Sequence, residues 1–172
     1  MNSPPGASSE RDDFCGGLRQ HRRLLLRTVR GLSDAQARLT PTVSRLCLGG
    51  IINHVTLMEE SWVRFIEQGP AYQGQPDQAA YARQTASFGF GALETLGGLV
   101  DRYRAVARRT DELVISLPSL DAGHPLPEAP WFESGATWSA RRVLVHIVAE
   151  TAQHAGHADI IREAIDGAKS MG

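Results

Sequence analysis

Apolar residues return every three or four positions through four long stretches of this 172-residue chain, and that rhythm constrains its fold more than any other feature. Such spacing puts one apolar stripe on an α-helix, whereas a strand needs alternation. Phe14, Leu18, His21, Leu25 and Val29 predict a first helix ending near Gly31. Ser9 or Asp12 can cap it, and acidic residues at 10, 12 and 13 suit its positive end. Ser33 to Gln36 reads as a short capped turn stopped by Pro41. A second helix is expected from about Leu48 to Gln68, striped by Ile51, Val55, Met58, Trp62 and Phe65 and ended by Gly69-Pro70. A third is expected over roughly Gly91 to Ser116, where Gly97-Gly98 either weakens the helix or permits close packing. A Pro-rich loop, Leu117 to Gly135, precedes a fourth helix capped by Ser139 and closed by Gly167. No segment alternates in the manner of a strand, and residues 69–86 read as a long crossover. The fold class expected is all-α, a four-helix bundle whose second and third helices can run parallel. Residues 1–8, rich in Pro, Ser and Gly, are expected to be a disordered tail, and 9–172 a single domain.

Eighteen basic residues face 19 acidic ones, a net charge of −1, so no overall field recruits nucleic acid or an anionic membrane. Arg19, Arg22, Arg23, Arg27 and Arg30 read as the solvated face of the first helix. No apolar run nears the ~20 residues a bilayer requires, and the N-terminus carries no secretion signal, so the cytoplasm is expected. Cys15 and Cys47 share no CxxC pattern and read as reduced core residues.

The chemistry concentrates in the last helix. Glu150, His154 and His157 follow at spacings of four and three, so all three project from one face. A carboxylate on an apolar stripe is costly unless something of opposite charge holds it. A divalent metal does so, and two imidazoles with one carboxylate make a three-ligand zinc set with an open fourth position. His54, inward-facing beside Ile51 and Met58, is the donor expected from the second helix. The preferred ligands are His54, Glu150 and His154, with His157 as the alternative or as a group that orients them, a role also open to Asp159. Nickel or iron suits two nitrogens and one oxygen as well as zinc does. His21 can line the pocket or fill the core, and Trp62 and Trp138 can shape its mouth. His146 is expected toward the rim and His124 in solvent. The chain has no Glu-x-x-His pair, which disfavours a di-iron centre.

Two segments then match a known family. They are Gly49-Gly50-Ile51-Ile52-Asn53-His54-Val55 through Glu60-Ser61-Trp62, and Glu150-Thr151-Ala152-Gln153-His154-Ala155-Gly156-His157-Ala158-Asp159-Ile160-Ile161-Arg162-Glu163. From about residue 10 to 167 the chain resembles the DinB superfamily of metal-binding four-helix bundles, most nearly its mini-circle or DinB-like branch. The resemblance implies zinc or nickel held by three side chains, and a long crossover between helices two and three. Most of the superfamily pairs a second-helix His with His-x-x-x-His from the last helix. Glu150 stands first in that pair here, a departure shared with mycothiol-dependent maleylpyruvate isomerases. It supports His54, Glu150 and His154 and demotes His157. Isomerase activity is not expected, for want of the C-terminal domain those isomerases carry. The implied function is activation of a low-molecular-weight thiol such as mycothiol for S-transfer to an electrophile. The alternative is a non-enzymatic metal-binding or stress-response protein. A homodimer is the assembly that bundles of this type suggest.

Overall fold

A computed structural model describes residues 9–72, 85–129 and 132–171; the tail expected at 1–8 lies outside them. Helix α1 spans Glu10–Thr28, opened by a reciprocal cap between Ser9 and Asp12. Helix α2, Asp34–Ala37, carries the same device through Ser33 and Gln36. Helix α3 runs Leu48–Gln68 and stops at Gly69, whose φ of 69° suits glycine. Helix α4 spans Leu96–Ser116, and α5 spans Ala140–Asp166, closed by left-handed Gly167. No described helix is long and apolar enough to cross a membrane.

Two expectations fail locally. Helix α4 starts later than Gly91, because Thr95 Oγ1 accepts from Gly98 N at 3.1 Å and fixes the cap there. Gly97-Gly98 therefore lies in the first turn, not inside the helix. Two short strands also form, β1 (Gly123–Pro125) and β2 (Thr137–Ser139), paired antiparallel with His124 opposite Trp138. Strands this short cannot display alternation. The pairing carries His124 out of full solvent, with Nε2 3.2 Å from Ile66 O and its ring edge-on to Phe65.

Side-chain contacts give the helix directions. Arg141 meets Glu10 and Arg162 meets Thr28 O, so α1 and α5 run parallel. Arg102 meets Asn53 and Thr110 meets Glu59, so α3 and α4 run parallel too. His54 lies against His154 and Trp62 against His146, which makes α3 antiparallel to α5. Arg22 meets Asp111 while Arg11 meets Leu117 O, which makes α1 antiparallel to α4. The bundle is therefore up-down-down-up, and the connection from α3 to α4 must return the length of the bundle.

Two apolar clusters fill the interior. One gathers Leu25, Leu48, Ile51, Ile52, Val55 and Tyr103; the other gathers Leu18, Phe65, Val114, Leu144 and Ile147. A polar layer separates them. Arg22, expected on the solvated face, is 5% exposed and pairs with Glu59, which is fully buried. Arg22 also holds Asp111 at 2.7 Å, and Thr110 Oγ1 donates to Glu59 at 2.6 Å. The first stripe thus rotates slightly from expectation, burying Cys15, Leu18, Arg22 and Leu25. Burial first, and then the charge of Glu59, pushes the Tyr103 hydroxyl well above the ordinary tyrosine range. Removing one member of such a pair strands the other. Glu59→Ala is expected to cost about 3–5 kcal/mol in urea unfolding, and the double change Arg22→Met, Glu59→Leu much less.

Candidate metal centre

His54 sits in the second turn of α3, and Glu150 and His154 sit one turn apart near the middle of α5. The antiparallel packing of these helices closes the gap of about a hundred residues between them. One donor atom from each of the three lies within 4.8 Å of the others. His54 and His154 are 8% and 7% exposed, whereas Glu150 is half-buried. The histidine rings meet edge to face at 4.8 Å between centroids. His154 Nε2 is 3.5 Å from Glu150 Oε2, and its Nδ1 is 3.5 Å from His157 Nδ1. His54 Nδ1 is 2.8 Å from Ser87 Oγ, and Phe88 stacks on the His54 ring at 3.7 Å and 13°.

The electrostatics suit ligation. Burial, and then the neighbouring His154, pushes His54 down to about 4, while Glu150 opposes the shift. The hydrogen bond from His154 holds the Glu150 carboxyl below its ordinary range, against burial and with help from His146 and His54. Near neutral pH His54 is therefore uncharged and Glu150 is ionised, the states a metal requires. Two imidazoles and a carboxylate, each histidine already contacted at one ring nitrogen, fit a three-ligand divalent site with space for another group.

The remaining candidates divide. His157 touches His154 but stands outside the three-residue cluster. Asp159 is not brought into it either; its Oδ1 accepts from Ser170 N at 2.6 Å and ties down the end of the chain. His21 is half-buried on α1 and takes no part in the cluster. Trp62 stacks on Trp138 at 5.0 Å, with Phe132 and His146 edge-on to both. His146, expected at the rim, joins this aromatic group to the cluster, its Nε2 4.0 Å from Glu150 Oε1. Its place one turn before Glu150 was a usable signal; for Ser87 and Phe88, which arrive from the crossover, the sequence carried none.

The His54 shift has a sign for stability. Its folded value is depressed, so the unfolded chain binds the extra proton first, and stability falls as pH drops from about 6.5 towards 4. In metal-free protein the His54 ring should titrate near 4 by NMR, and His54→Ala should flatten the acid slope of the urea midpoint over that window.

No protein of curated function matches the chain. A conserved protein from Enterococcus faecalis has a similar structure, with TM-score 0.64 at 12% identity, covering 94% of this chain and 100% of its own. YfiT from Bacillus subtilis, described as a probable metal-dependent hydrolase with an unusual four-helix bundle topology, gives 0.62 at 14% identity over 94% of this chain and 91% of its own. At those identities the likeness is one of fold, the four-helix bundle. The model of the mycothiol-S-transferase family matches residues 13–167, nearly the whole chain, so this protein belongs to that family.

Proposed function

We propose that this protein is a metal-dependent transferase that joins a low-molecular-weight thiol, such as mycothiol, to an electrophilic carbon. The observation that carries the reading is the convergence of His54, Glu150 and His154 from two helices, in a chain of the mycothiol-S-transferase family. These three hold one divalent ion, zinc foremost, with nickel and iron compatible with the same donors. A bound ion of this kind supplies Lewis acidity and brings a thiol to its thiolate near neutral pH.

The chain's own residues shape the rest. One carboxylate against a doubly charged ion leaves the site net positive, which favours an anionic sulfur. Burial of His54 and His154 keeps competing water from their donors, while half-buried Glu150 marks the open side. The Trp62–Trp138 stack, with Phe132 and His146, offers an apolar wall beside Glu150 for the electrophile. Reaction forms a sulfur–carbon bond. The departing group, or an opening epoxide or activated alkene, takes the electron pair, and the thiol proton passes to solvent.

Elemental analysis of tag-free protein should find one divalent metal per chain. His154→Ala should lose both that metal and thiol conjugation, whereas His157→Ala should keep the metal. Full occupancy in His154→Ala would remove the ligand assignment. Conjugation assayed with a generic electrophile, with and without mycothiol, separates a transferase from a protein that only binds metal. The thiol-free arm, given an ester or amide, reads hydrolysis of the kind named for YfiT.

A further inference from the structure

Helix α3 opens with two adjacent glycines, Gly49 and Gly50, which are poor helix formers. Their surroundings supply the reason. A Cβ on Gly50 would lie 1.9 Å from the Phe88 carbonyl oxygen, and one on Gly49 would lie 2.2 Å from the Phe90 ring. The end of the crossover therefore rests directly on the first turn of α3, where only bare backbone leaves room. Asn53 pins it there, its Nδ2 donating to Ser87 O at 2.9 Å and to Gly89 O at 3.1 Å. Arg102 of α4 holds the Asn53 carbonyl oxygen in turn, which fixes which end of the amide donates. Gly89 N donates to Ala86 O at 2.8 Å and tightens the segment into a turn.

This anchoring bears on one side chain. It sets Ser87 Oγ against His54 Nδ1 and lays Phe88 flat on the His54 ring, tilted also towards His154 at 5.6 Å. We propose that residues 85–90 are a positioning element for His54: Ser87 accepts from Nδ1–H and so selects the tautomer whose Nε2 lone pair is free, and Gly50 admits the segment that delivers Ser87. The inference rests on the metal reading above, because a ligand nitrogen is what the contact prepares. Imidazole ligands are held in tautomer and orientation by such partners, and losing one weakens metal binding by about 10–100-fold.

Three variants test it: Ser87→Ala, Gly50→Ala, and Gly16→Ala as a control, since nothing lies within 4 Å of a Cβ at Gly16. Zinc affinity is measured by competition with a chromophoric chelator, and the His54 tautomer by nitrogen-15 NMR on metal-free protein. The first two variants should weaken zinc about 10–100-fold and mix the tautomers, with helical circular dichroism retained in Ser87→Ala, while the control matches wild type. Wild-type zinc affinity in Ser87→Ala, or an unchanged His54 tautomer, overturns the inference. Failure of the wild-type chain to take up any metal would instead sink the ligand reading, and the metal-free spectra keep the two failures apart.

Discussion

The side-by-side, antiparallel contact of α3 with α5 brings the candidate metal donors together. It sets His54 against Glu150 and His154, and eight residues further along α3 it sets Trp62 against His146, where Trp138 of β2 stacks on Trp62. The two helices share both apolar clusters: Ile51 and Val55 of α3 with Ala155 and Ala158 of α5 in one, Phe65 of α3 with Leu144 and Ile147 of α5 in the other. A slip of one helical turn, about 5.4 Å, would pull His54 out of reach of His154.

A buried polar layer sets the register of α3 against α1 and α4. Arg22 from α1, Glu59 from α3 and Thr110 from α4 meet at one level, between the two apolar clusters. A charge at that depth is tolerable only when its partner stands opposite, so a slipped helix would strand it. Burying such a pair adds little net stability over a well-packed apolar layer. Its effect is to penalise the alternatives, and so to place α3, the helix that carries His54.

Topology matters as much as packing. A tight hairpin after α3 would begin α4 near Gln68, far from His54. Because α4 runs parallel to α3, the connection must come back to the start of α3 before α4 begins. That return brings Ser87 and Phe88 onto His54 and Asn53 under Arg102. The crossover is thus both a connection and part of the wall of the candidate site.

Helix α3 was legible because its signals are local: an apolar stripe, a bounded start and Gly69-Pro70 at its end. The Glu150, His154 pair was equally legible, since helical spacing alone puts both on one face. In the sequence Leu93 prolongs the apolar pattern ahead of α4, whereas the Thr95 hydroxyl decides where the helix starts. Arg22 looked like its exposed neighbours Arg19 and Arg23. Only a partner on another helix, Glu59, shows that its guanidinium is satisfied inside. The sequence by itself determined the helices and which donors share a face, because those depend on residues three or four apart. The meeting of His54 with Glu150, the aromatic group around His146 and the reach of Ser87 were decided by tertiary structure alone, because each depends on how distant segments pack and on which backbone leaves them room.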